Sequence, residues 1–483
     1  MSRTHHHRAA ILLALTFTFV GADPSPLSAQ APAAERTSGA PILRPCTVSA
    51  MAARCGSLPV WENRATARGR KIDLKIVVLA AEDPAPRADP VYVLAGGPGQ
   101  AATEMAAGLA RELAAVRRHR DVVLVDQRGT GGSNALTCPG GMGLLNDGVD
   151  AVRACAAELS RRADLGQYTT LNAADDLDEV RAVLGHESVN LVGVSYGTVL
   201  AQVYMQRHPR RVRTVTLRAV APMGYNIPVD GTRTADRALR QVLADCAAEA
   251  ACAAAFPRLP ADLDSVVAVV ERGPTRVRTP GAGGDSVEVV LDRGLFYSTL
   301  YALLLGPTRQ QVPLLIHRAA TRGLGALAPI AVQIRAALYG PLPVGMYLSV
   351  VCTEDVPRIS AATRDSLRAT FGGIADLTDA CEAWPHTPVS ADAVRPLAWG
   401  GPALLVSGDA DPATGAEHGD ALARGWPGAR HALLPGTAHG PMFPGCMKEL
   451  VGDFIERASA AGLDPTCLQT LRWPPFATGA PAR

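Results

Sequence analysis

Lysine is almost missing from this chain: Lys71, Lys75 and Lys448 are three of 47 cationic side chains, and arginine supplies the rest. That bias, like the richness in alanine, glycine and proline, reads as coding preference rather than function. Net charge is missing too. A balance of +2 over 483 residues gives no electrostatic reason to expect nucleic acid or an acidic membrane surface as partner. No Cys-x-x-Cys and no His-x-x-x-His occurs, which argues against a zinc site. Beyond the first residues no apolar run is long enough to cross a bilayer, and internal repeats are not evident.

What is present begins with a leader. "MSRTHHHRAA" is basic, "AAILLALTFTFVGA" is apolar but short for a membrane span, and "SPLSAQAPAA" offers small residues for cleavage. This is the pattern of a secretory signal peptide over residues 1–29, cut after Ala29; a retained signal anchor is the alternative. Residues 30–45 read as a disordered lead-in. The exported chain would be periplasmic or secreted, with no membrane span after cleavage. It would keep Cys46, Cys55, Cys138, Cys155, Cys246, Cys252, Cys352, Cys381, Cys446 and Cys467. An even number in an oxidising compartment points to disulfides between sequential neighbours, each closing a short loop. The pair Cys246–Cys252 fits least well, because a continuous helix would turn those two apart.

Along the chain, apolar strand-like runs alternate with helical patterns. Arg70–Ala80 reads as an early antiparallel strand. "ADPVYVLAGGPGQ", "HRDVVLVDQRGTGGS", "SVNLVGVSYG" and "VRTVTLRAVAP" read as the next four, with helices such as Ala101–Arg117 and Ala173–Leu184 between them. The rhythm predicts an α/β protein with a mainly parallel sheet covered on both faces. It breaks after Pro222, and residues 226–395 read as a mostly helical insertion, interrupted by "GAGGDS" and "YGPLP". The sheet then resumes with "GPALLVSGDADPATG" and "ARHALLPGTAHG". Residues 46–225 and 396–483 are thus the two parts of one sheet domain.

Strand ends are where chemistry is expected in an open parallel sheet. One of them carries Gly193-Val194-Ser195-Tyr196-Gly197, a G-x-S-x-G between an apolar strand and a helix opening. In a nucleophile elbow, close backbone packing leaves room only for glycine two residues either side of the serine. Two later strand ends supply Asp411 and His439, in the chain order of an α/β-hydrolase triad. Asp409 competes with Asp411, and His431 and His418 compete with His439. Oxyanion donors would be the N–H of Tyr196 and that of Gly97, or of Gly96; Pro98 has none.

"LAGGPGQ", "VLVDQRGTGGSNALTC", "YTTLNAADDLDEVRAVLG", "LVGVSYGTVLAQVYMQRHP", "SVVCTEDVP", "LLVSGDADPATG" and "LPGTAHG" together resemble the exported proline iminopeptidase and tripeptidyl aminopeptidase-like serine peptidases of the α/β-hydrolase fold. The resemblance runs from about Cys46 to Cys467. It implies a hydrolase that removes N-terminal residues from peptides bearing a free N-terminus, without metal or organic cofactor; the helical insertion is expected to act as its lid. It also places Ser195, Asp411 and His439 on the triad. Two departures stand out: many relatives have histidine where this chain has Ala95, and proline where it has Gly415. Both bear on pocket shape. An exopeptidase must hold an ammonium, and a sheltered carboxylate does so best. "LSVVCTEDVP" offers Glu354 and Asp355, with Glu354 the expected anchor; similar peptidases carry a matching Cys-x-Glu-Asp segment. A helix-capping acidic loop is the plainer alternative. An esterase or other acyl hydrolase on the same scaffold is the alternative function, because the triad does not choose between amide and ester.

Overall fold

Short β-branched runs build a sheet, and the helices between them cover its two faces. The computed structural model describes residues 42–281, 285–336, 342–367 and 375–479. The expected leader and cleavage point lie outside them, as do residues 30–41 and parts of "GAGGDS" and "YGPLP". The strands are β1 (Leu43–Val48), β2 (Met51–Trp61), β3 (Lys71–Leu79), β4 (Val91–Leu94), β5 (Val122–Val125), β6 (Val189–Val194), β7 (Val212–Arg218), β8 (Thr275–Pro280), β9 (Ser286–Leu291), β10 (Ala403–Gly408) and β11 (Ala429–Leu434). The large sheet runs β1-β2-β3-β5-β4-β6-β7-β10-β11. Pairing is antiparallel from β1 through β3 to β5, and parallel from β5 onward to β11. Every residue of β4, β5 and β10 is buried, as expected of parallel strands covered on both faces. This is the α/β-hydrolase arrangement.

The first strand begins at Leu43, inside the stretch read as lead-in. Leu43–Val48 pairs along its whole length with Met51–Gly56, and Cys46 meets Cys55 across that pair. Sequence polarity hid this hairpin because its outer residues are solvated.

Segment 226–395 divides between two cores. Helices Ile227–Ala248, Leu259–Glu271, Arg293–Leu304 and Val312–Arg322 pack on one another through residues such as Phe296, Leu300 and Ile316. The small hairpin β8–β9 lies among them and was not expected from a helical pattern. Helix Val344–Glu354 does otherwise. Its Val344, Met346, Leu348 and Val350 join the core of the main sheet with Tyr168 and Leu177. A helix buried on nearly every side, 10 of its 11 residues, reads in sequence much like a lid helix.

The cysteines stand in the sequential pairs 46–55, 138–155, 246–252, 352–381 and 446–467, with Cα atoms 5.1–6.4 Å apart. Helix Ile227–Ala248 ends at Glu249 and a new one, Ala250–Ala255, begins. That break turns Cys246 and Cys252 towards each other.

Candidate active site

Ser195 caps β6 and opens helix Tyr196–Arg207, with φ +56° and ψ −126°. The left-handed backbone is costly for a residue with a side chain and survives where surroundings over-determine it. Three fixtures do so. The Ser195 N–H donates to Arg218 O at 2.9 Å, and the Thr198 N–H and hydroxyl donate to Ser195 O at 2.8 and 2.6 Å. The flanking glycines are needed sterically: a Cβ on Gly193 would sit 2.5 Å from Gly197 O, and one on Gly197 2.0 Å from Leu94 O. The glycine-proline turn lies against the serine, since a Cβ on Gly96 would sit 3.0 Å from Ser195 Cβ. The Gly96 N–H donates to Gln100 Oε1 at 3.1 Å. Gly97 is then the candidate oxyanion donor of the two glycines, with Tyr196 at the helix N-terminus, where N–H groups have no helical acceptor, as the other candidate.

The acid and the histidine meet. His439 Nδ1 lies 2.9 and 3.0 Å from the two oxygens of Asp411. Asp411 is fixed by its own loop: Ala413 N–H and Thr414 N–H donate to it at 2.8 and 2.9 Å, and the Thr414 hydroxyl at 2.9 Å. Burial works to raise this carboxyl, but the His439 ring, the Arg218 charge and the Thr414 N–H hold it below the usual carboxylate range. Asp409 serves differently. Its oxygens accept from Gly436 and Thr437 N–H groups at 2.9 and 3.3 Å, which steadies the turn ahead of His439. His431 pairs with Asp420 at 2.7 Å and His418 packs against the Tyr225 ring; neither touches Asp411.

Glu354 and Asp355 both turn into the protein. Glu354 accepts from the Thr170 N–H and from the Thr170 hydroxyl, both at 2.7 Å. It caps the helix Thr170–Val183, as the plainer alternative held, because an anionic group suits a helix N-terminus. The Thr170 hydroxyl also meets the Tyr196 hydroxyl at 2.7 Å, and Gln127 donates to that same oxygen at 3.0 Å. Asp355 accepts from the Ile227 N–H at 3.2 Å and from Arg358 at 2.9 Å. Burial and the neighbouring Glu354 push its carboxyl up to about 7 against the pull of Arg358. Adjacent acids after an apolar run look exposed in sequence, and in the structure both turn inward to accept from backbone donors.

Two arginines were missed. Arg128 of the "DQRGTG" turn is fully buried and forms a bidentate pair with Asp176 at 2.6 and 2.7 Å, while also donating to the carbonyls of Trp61, Glu62 and Gln167. The turn is thereby tied to β2 and to helix Thr170–Val183. Arg218 ends β7 beside Ser195. The signal in sequence was slight: Arg128 follows β5 by three residues within the "DQRGTG" turn, and Arg218 is the last residue of β7.

A glycine-flanked serine at a strand-to-helix turn, with an acid–histidine pair at later strand ends, is an α/β-hydrolase arrangement, and residues 89–261 match the family model described as alpha/beta hydrolase fold. The chain carries that fold. Residues 371–467 match a second model, described as TAP-like protein, and the named relatives carry peptidase names. A serine protease of Mycobacterium tuberculosis is 30% identical over 181 residues, 32% of this chain and 35% of that protein. A tripeptidyl aminopeptidase of Streptomyces lividans is 30% identical over 145 residues, 26% of this chain and 27% of that one. A proline iminopeptidase of Xylella fastidiosa is 27% identical over 140 residues, 28% of this chain and 33% of its own. The matches therefore span about a third of the length of those relatives. Among solved structures, a Mycobacterium smegmatis proline iminopeptidase is 18% identical over 83% of this chain and 98% of its own, with a TM-score of 0.41. A Thermogutta terrifontis esterase is 15% identical over 84% and 99%, with a TM-score of 0.40.

Proposed function

We propose that this chain is an exported serine aminopeptidase that removes N-terminal residues from peptides through Ser195, His439 and Asp411. The observation that carries the reading is the Asp411–His439 pair, held at a strand end two strands from the strained Ser195. With Nδ1 turned to Asp411, Nδ1 carries the proton and Nε2 is the free base. Nε2 takes the proton of the Ser195 hydroxyl as its oxygen adds to the scissile carbonyl carbon. The Tyr196 and Gly97 N–H groups receive the carbonyl oxygen as it becomes anionic. The proton passes from Nε2 to the leaving amine, the C–N bond breaks, and water repeats the sequence on the acyl-enzyme. Asp411, ionised and buried, stabilises the imidazolium. The peptidase names of the relatives and the TAP-like match support amide over ester chemistry. The five cysteine pairs support export.

A second reading, an acyl hydrolase on the same scaffold, draws on one observation: the two carboxylates expected to hold an ammonium are already engaged. A panel of chromogenic aminoacyl and acyl substrates, with the amine free or blocked, separates the two. Turnover of free-amine amides well above that of their amine-blocked counterparts and of simple esters is expected. Equal turnover of amine-blocked esters would favour the second reading.

A further inference from the structure

The structure assigns Arg218 as the positioning residue that holds the His439 loop in register with the Ser195 turn. Its guanidinium is fully buried at the end of β7. Nε donates to Met442 O at 2.9 Å, and Nη2 donates to Ala438 O at 3.0 Å and Pro441 O at 3.1 Å. Those carbonyls lie on both sides of His439. The backbone of the same residue serves the other partner, since Arg218 O accepts the Ser195 N–H at 2.9 Å. One residue thus touches the nucleophile's turn through its main chain and the base's loop through its side chain. The two are 244 positions apart in sequence.

Burying a cation is expensive without a counter-charge. Among the described residues no carboxylate lies within ion-pair distance of Arg218, although Asp411 is near enough to oppose the effect of burial on it. Burial draws the guanidinium below the ordinary arginine range, and Asp411 offsets only part of that. An apolar side chain would fill the same space at lower cost. What it could not do is present a rigid planar fork to three carbonyls at once, and arginine alone offers that geometry. A loop so gripped has fewer conformations in which the His439 ring is off line, and small displacements of a general base are costly in rate.

This inference rests on the triad reading, and a double-mutant cycle separates the two. R218M, R218K, H439A and R218M/H439A are compared on p-nitrophenyl acetate, with near-ultraviolet circular dichroism to normalise each rate to folded protein. If Arg218 acts through His439, R218M lowers kcat roughly 30-fold or more with KM within about threefold, and R218K falls between it and wild type. In the H439A background R218M then changes the residual rate by less than about threefold. An R218M loss of the same size with and without His439 overturns the inference alone, as does an R218M rate equal to wild type. H439A turning over like wild type overturns the triad reading and this inference with it. Should R218M not fold, R218K and R218K/H439A complete the same cycle with the same outcomes.

Discussion

Ser195 contributes a hydroxyl and little packing, so its removal is the sharpest residue-level test. S195A is expected to fold with an unchanged circular dichroism spectrum and to lose at least ~10⁴-fold in kcat. A fluorophosphonate should label the wild type at Ser195, and a chelator should leave turnover unchanged. Comparable turnover in S195A would end the proposed mechanism. Glu354 asks a different question, because each of its oxygens already accepts from Thr170. A residue that caps a helix and, through Thr170, braces the Tyr196 ring should affect every substrate alike. E354Q is therefore expected to lower kcat/KM for a free-amine aminoacyl anilide and for an uncharged ester by the same factor. It should also cost about 1–3 kcal/mol of stability in urea denaturation, the usual result of impairing a buried hydrogen-bond pair. A loss confined to the free-amine substrate would instead make Glu354 the ammonium anchor.

Between elements, the contact of most consequence is where helix Val344–Glu354 meets the start of helix Ile227–Ala248. Asp355 spans it, taking the Ile227 N–H, while its own carbonyl accepts from the Asn226 side chain at 2.9 Å. Glu354 and Arg358 flank it, and Asp230 faces it across the Asn226 cap. The folded carboxyl titrates at about 7, above its ordinary 3.8, so the folded protein binds this proton more tightly than the unfolded chain. Its stabilising contribution is present in acid and is lost as pH rises through about 7. Wild-type Tm should lose this contribution between about pH 4 and 7, and D355N should flatten that part of the slope; an unchanged slope would place the titration elsewhere. Strand periodicity made β3 to β7, β10 and β11 legible, because buried parallel strands are written as continuous β-branched runs. The serine turn, Asp411 and His439 were legible from order along the chain. The hairpins β1–β2 and β8–β9 were not, since their residues are half solvated and their pairing partners set their conformation. Arg218 was legible only as an oddity, because the carbonyls that explain it lie 220 to 224 residues further on.

At the scale of the whole molecule, the helical body formed by residues 227–334 is fastened to the sheet at the place that matters for access. The Gly440 N–H, next to His439, donates to Leu305 O at 3.1 Å, and the Tyr225 hydroxyl donates to Ala413 O in the loop of Asp411. The C-terminal segment straps across as well. Arg309 lies over the Trp473 ring at 4.5 Å, Phe476 N–H donates to Glu249, and Ala477 N–H donates to Gln310 O at 2.9 Å. The helical body is thus tied to the base's loop, and Tyr225, just ahead of helix Ile227–Ala248, to the acid's loop; we propose that the helical body stands as a cap beside Ser195. We propose that this cap admits chain ends and excludes continuous chains, since an extended polypeptide needs an open groove on both sides of the scissile bond. Casein, which is unfolded and offers internal bonds freely, makes the decisive substrate. Mass spectrometry of a digest should show only short products from the N-terminus and a progressively shortened remainder. Internal fragments appearing before the N-terminus is consumed would mean that the cap leaves a through-groove, and that the enzyme cuts as an endopeptidase.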